Sequence, residues 1–169
     1  MDYTQLSIET LDRVQERFLE TLGQVSVEKA NVMPTPLIKS ITWLIWHTSR
    51  MIDLQISELK GEESLWIADC WTEKFNLPLP DDTLDFKHSP EHAEKVKISD
   101  KDLLVDYLDA ATKLAKDYLS HLDESTLYEI IDENYTPAVT RHTRIVSIID
   151  DAVMHSGQAI YTRRMVIGK

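Results

Sequence analysis

Apolar residues recur at intervals of three and four along most of this chain, with polar residues filling the positions between them. Leu6, Leu11, Val14, Phe18, Leu22 and Val25, spaced by Glu9, Asp12, Arg13, Glu16 and Glu20, predict an amphipathic helix from about Ser7 to Val25. Gly23 lies near its end, and residues 26–34 read as a connection. A second helix is expected to open with Thr35 as its cap and Pro36 at the first helical position. It continues through Leu37, Ile41, Leu44, Ile45, Thr48, Ile52 and Ile56 to about Leu59, where Gly61 stops it. Ser99 followed by Asp102 resembles a capping box and opens a third helix carrying Leu104, Tyr107, Leu108, Ala111, Ala115 and Leu119. The fourth and longest helix spans residues 140–167, with Ile145, Ile148, Ile149, Ala152, Ala159 and Ile160 at buried spacing.

The periodicity dissolves over residues 61–98, where Pro78, Pro80 and Pro90 punctuate the chain and local helix is expected only around Leu65 to Cys70. A structureless stretch of this length is long for a compact domain and marks a crossover. Trp66, Trp71, Phe75 and Phe86 are too apolar to leave in water, so the crossover is expected to pack over the helices. Residues 123–137 form a second connection. Four long helices with short, long and short links predict an all-α four-helix bundle in which helices two and three run roughly parallel. No repeat or composition break divides it, so residues 1–169 read as one domain.

Composition narrows the function. Only 4 glycines occur, which disfavours a turn-rich all-β chain. Acidic residues outnumber basic ones 29 to 18, a net charge of -11 that repels phosphate backbones and excludes nucleic acid as the expected partner. Lys95 with Lys97, and Arg163 with Arg164, are too short to form a basic patch. Cys70 is the single cysteine, so no intrachain disulfide is possible and a cytoplasmic location is expected. The N-terminus lacks a secretory pattern, and the longest apolar run, around Ile41 to Trp46, is too short to span a membrane.

The candidate chemistry sits in the buried helices. Asp151 and His155 are four apart, so a helix stacks them on one face, and Gln158 continues that face. His47 falls with Leu44, Met51 and Leu54, toward apolar surroundings. If helices two and four are neighbours, His47, Asp151 and His155 make a three-ligand face with open positions, suited to Zn²⁺, Ni²⁺, Fe²⁺ or Mn²⁺. Spacing alone favours the plainer reading, satisfied polar groups such as a His–Asp hydrogen bond inside the bundle, because such i,i+4 pairs are common. The remaining histidines are expected to be solvated: His88 and His92 flank Pro90, His121 ends helix three, and His142 starts helix four. Cys70 beside Trp71 reads as a buried structural thiol, and Trp43, Trp46, Trp66 and Trp71 as core, or for a subset as the lining of a ligand cavity. No nucleophile elbow or phosphate-binding loop occurs.

The run from Pro36 to Asp53, with Trp46-His47 followed by Thr48-Ser49-Arg50 and Asp53, resembles the helix-two signature of the DinB/YfiT-like family. His155-Ser156-Gly157-Gln158 with Tyr161-Thr162-Arg163-Arg164 resembles that family's closing helix, and the likeness extends over the whole chain. The resemblance implies an up-down-down-up bundle holding a divalent metal through three histidines, one on helix two and two at His-x-x-x-His spacing on helix four. His47 matches the first and His155 the last. The middle position is Asp151 here, a shorter but competent ligand, with Gln158 in an outer supporting role. Related bundles include mycothiol- and bacillithiol-dependent enzymes, so the resemblance implies a thiol S-transferase acting on a small electrophile, with a low-molecular-weight thiol as partner and a homodimer as assembly. The alternative is a non-catalytic ligand-binding or dimerisation bundle whose metal site has degenerated at Asp151.

Overall fold

The structure, a computed structural model, describes residues 3–169. Its helices are α1 (Tyr3–Gly23), α2 (Val27–Ala30), α3 (Ile41–Lys60), α4 (Leu65–Ala68), α5 (Trp71–Phe75), α6 (Pro90–Glu94), α7 (Lys101–Ser120) and α8 (Arg141–Ile167). A two-stranded antiparallel hairpin, β1 (Ile130–Asp132) and β2 (Val139–Thr140), leads into α8. The protein is therefore mostly helical. No helix among the described residues is long and apolar enough to cross a membrane.

The four long helices share one hydrophobic core. α3 packs on α7 and α8, and α1 packs on the same two. Leu11, Val14, Phe18 and Leu22 enter the core from α1, while Leu104, Tyr107, Leu108, Ala111 and Ala115 enter from α7. Burial of a leucine- or phenylalanine-sized side chain stabilises the fold by about 1.5–3 kcal/mol. Polar pairs fix the helix register at the edges: Lys116 Nζ lies 2.8 Å from Asp12 Oδ1, and Gln15 donates to Asp109 Oδ1 at 3.0 Å. Lys101 Nζ donates to Leu22 O, where α1 runs out of internal partners, and to Val25 O just beyond the helix.

α3 is the central element, and it starts later than its sequence pattern predicts. Residues 35–38 form a tight turn, with Ile38 N bonded to Thr35 O at 3.1 Å, so Pro36 lies outside the helix. Ser40 is the true cap, its hydroxyl accepting from Trp43 N at 3.0 Å. Gly61, at φ 71, closes the helix in the left-handed region, as expected of a C-terminal glycine. Nearly every side of α3 is covered, although Leu54 remains partly exposed. Likewise α7 begins with Asp100 as cap, accepting from Asp102 N, in place of a Ser99–Asp102 box.

The crossover folds back over α3 and α7. Asp53, fully buried, accepts Leu65 N and Trp66 N at 2.8 Å each, Tyr107 Oη at 2.9 Å and Ser57 Oγ at 3.2 Å. It thereby pins the start of α4 to the core. Trp66, Trp71 and Phe75 then surround the Tyr107 ring with centroids 5.5, 4.9 and 5.7 Å away. Phe86 departs from the expected burial: it is 61% exposed, because its neighbour Asp85 takes the inward position. Cys70 is exposed as well, at φ 55 in the turn between α4 and α5, so its thiol is not part of the core. At the far end Asn31 receives the crossover, accepting from Ile98 N and Thr42 Oγ1 and donating to Ile98 O.

Candidate metal centre

α8 carries two of the three expected residues. Thr140 caps it, accepting from Thr143 N, and no proline interrupts its 27 residues. Asp151 and His155 therefore stand one turn apart, with His155 Nε2 3.3 Å from Asp151 Oδ1. α3 supplies the third from across the interface, with His47 Nε2 3.9 Å from Asp151 Oδ2. The imidazole rings meet edge to face at 4.8 Å and 85°. One donor atom from each residue lies within 4.8 Å of the other two, and no other such cluster of three occurs among the described residues. Donors around a tetrahedral ion with bonds near 2.1 Å sit roughly 3.4 Å apart, so the carboxylate is already spaced for a shared ion.

Each outer nitrogen faces an acceptor. His155 Nδ1 lies 2.7 Å from Gln158 Oε1, an acceptor that requires a ring proton on Nδ1 and turns Nε2 toward Asp151. His47 Nδ1 lies 3.2 Å from Asp85 Oδ2, within ion-pair reach but without the alignment of a hydrogen bond. Asp85 is 2% exposed and also stands 3.9 Å from Arg50 Nε. Arg50 Cζ in turn lies 5.1 and 4.8 Å from the ring centroids of Trp46 and Trp66. A carboxylate held this deep needs such positive and polar neighbours to offset its lost hydration.

Electrostatics couple the α8 pair. Burial alone pushes the Asp151 carboxyl up, but the hydrogen bond with His155 and the charges of His155 and His47 outweigh it, so it titrates below its usual range. Burial would lower His155, yet its bonds to Asp151 and Gln158 win and raise it. Protonated, His155 pairs with Asp151; deprotonated at Nε2, it offers the same position to a cation.

Trp43 closes one side of the cluster. Its ring stacks on His47 at 4.4 Å and 13°, and its indole N–H donates to His88 Nδ1 at 3.1 Å. His88 is therefore half-buried, contrary to its expected solvation, with Nε2 donating to Thr83 Oγ1 at 2.8 Å. Burial holds its imidazole down to about 4, with His92, Lys39 and Arg50 adding to the effect and Asp85 opposing it. His92, His121 and His142 are exposed, as expected. The periodic pattern missed Asp85 and the burial of His88, whereas Trp43 was expected in the core and is buried there. Asp85 lies in the irregular crossover, where spacing carries no facial information; its only signal is an aspartate between two apolar neighbours, Leu84 and Phe86.

A mostly helical chain whose long helices converge two histidines and a carboxylate is the class that fold and site define. The sequence pattern of the DinB superfamily matches residues 10–159, and the chain belongs to that superfamily. It is also similar to a solved structure, the crystal structure of a conserved protein from Enterococcus faecalis. That protein is 60% identical, with a TM-score of 0.97 over 100% of this chain and 99% of the other. Comparison with curated proteins found no match.

Proposed function

We propose that the chain is a divalent-metal protein in which His47 Nε2, the Asp151 carboxylate and His155 Nε2 hold the ion. A small molecule is the partner of the site, and transfer of a low-molecular-weight thiol to a small electrophile is the reaction. One observation carries this reading: both imidazoles turn Nε2 toward Asp151 while Nδ1 faces an acceptor, Gln158 for one and Asp85 for the other. Such outer acceptors orient ligating histidines and raise their basicity. The donor chemistry admits Zn²⁺, Ni²⁺, Fe²⁺ or Mn²⁺.

A bound divalent ion would supply Lewis acidity, lowering the pKa of a thiol or water brought to it. The chain's own groups do the rest. Gln158 fixes the His155 tautomer, Asp85 sets a negative charge beside His47 Nδ1, and the Trp43 ring shields His47 from water. Asp151, its side chain 30% exposed, marks the side from which solvent and small molecules reach the cluster. Lys101 at the start of α7 meets Leu22 O at the end of α1, and Arg141 at the start of α8 meets both Leu59 O and Tyr118 Oη at the ends of α3 and α7, contacts that support the up-down-down-up course implied by the sequence resemblance.

Metal content of untagged protein purified without chelator tests the assignment. The parent is expected to carry close to one ion per chain and the His47→Ala, His155→Ala double variant almost none. Sub-stoichiometric metal unchanged in the variant would overturn it. Loss of parent-level thiol conjugation to monochlorobimane in the same variant tests the transfer reaction. A second reading has its own support: Asp151 and His155 satisfy each other directly at 3.3 Å, as in a bundle whose metal site has degenerated. That reading predicts no metal in the parent and tight binding after Asp151→His.

A further inference from the structure

A cleft of about 530 Å³ opens beside His155, between the turn before α3 and the outward face of α8. Ile38, Trp43, Leu44 and Tyr161 give it apolar walls. Its polar groups come from Lys39, His155, Gln158, Tyr161 and Thr162. No carboxylate lines it, and Lys39 supplies its ammonium. Lys39 Nζ makes one hydrogen bond, to His88 O at 3.3 Å, and lies 5.1 Å from the centroid of the Trp43 ring. It pairs with no carboxylate among the described residues, in a chain that carries 29 of them. An ammonium has three donors, so two remain. Burial lowers the Lys39 ammonium from its ordinary value, with no nearby anion acting against that shift.

Gln158 adds a second donor. Its Oε1 is committed to His155 Nδ1, which leaves the Nε2 amide hydrogens without an acceptor among the described residues. A partly desolvated cation and a free amide N–H in a largely apolar cleft are complementary to an oxyanion on an apolar body.

We propose that this cleft binds a small organic carboxylate, its charged end received by Lys39 Nζ and Gln158 Nε2 and its apolar body lying against Trp43. Taking that anion as the substrate of the adjacent centre rests on the metal reading above; the binding itself does not. The anion faces donors of the protein, so it is selected before any chemistry at His155.

The test is an amide and indole NMR titration of chelator-treated, metal-free protein with phenylacetate and with its neutral isostere phenylacetamide, repeated on zinc-loaded protein. Phenylacetate is expected to shift the Trp43 indole N–H and the amides of Gly157, Gln158 and Tyr161, and to bind at least about tenfold more tightly than the amide. Lys39→Met should erase that preference and leave phenylacetamide unchanged, whereas Lys39→Arg should keep it. Equal affinities, no shifts at those resonances, or a preference that survives Lys39→Met overturns the proposal. So does a preference confined to zinc-loaded protein, because the ion would then be what binds the carboxylate. A preference present in metal-free protein that holds no metal when purified sinks the metal reading alone.

Discussion

Asp53→Ala should be the most damaging single truncation outside the hydrophobic core. The parent carboxylate accepts from Leu65 N, Trp66 N, Tyr107 Oη and Ser57 Oγ in fully buried surroundings. Removing it strands four donors; the Ser57 hydroxyl can rotate to a helix carbonyl, which leaves the two amides and the phenol without an acceptor. Each costs about 1–3 kcal/mol, or roughly 3–9 kcal/mol in gross terms. The parent pays part of this back: burial raises the Asp53 carboxyl despite its hydrogen bonds, so holding the charge is itself unfavourable. The expected net loss is about 3–5 kcal/mol, the range for removing one partner of a buried charged contact. At about 2–4 °C per kcal/mol for a chain of this size, the melting temperature should fall by roughly 6–20 °C. Urea unfolding followed by circular dichroism measures it. Tyr107→Phe, which loses the shared bond alone, should cost about 1–2 kcal/mol. The double variant should cost less than the sum of the two, because both break the same bond. A loss under about 1 kcal/mol for Asp53→Ala, or strict additivity, refutes the reasoning. The consequence reaches the site, since Asp53 anchors the crossover that brings Asp85 to His47.

Asp85→Ala should weaken zinc binding by about 10–100-fold in a competition with a chromophoric chelator, while Asp85→Asn, still an acceptor for Nδ1, should lose less. Metal-loaded protein should be more stable than chelator-treated protein by about 2.7 kcal/mol when free ion is 100 times its Kd, read as a rise in melting temperature. His88 should titrate near 4 by NMR, well below the 6.5 of an ordinary imidazole. Because its folded pKa is depressed, its contribution to stability is complete above 6.5 and lost as pH falls toward 4; His88→Gln should flatten that stretch of the stability curve. His155 works in the opposite sense in metal-free protein. Its folded pKa is raised, so its stabilisation is present below 6.5 and disappears as pH rises through the folded value, a slope that Asp151→Asn should reduce.

The sequence by itself determined the four long helices, because burying one face of a helix imposes a three-and-four repeat that Leu11, Phe18, Leu104, Ile148 and their neighbours display openly. It also placed Asp151, His155 and Gln158 on one face, since the helical period alone decides which residues share it. Helix starts were less legible: Thr35-Pro36 and Ser40 are both competent openings, and only the turn at residues 35–38 selects Ser40. The hairpin before α8 left no alternating pattern, being three residues paired with two. What tertiary structure alone decided was the meeting of elements distant in sequence. His47 approaches Asp151 because α3 packs on α8, and Asp85 reaches His47 because Asp53 holds the crossover's first turn to the core. Those contacts join residues separated by many turns of chain, where no local period operates, and they depend on packing that each segment acquires only in the presence of the others.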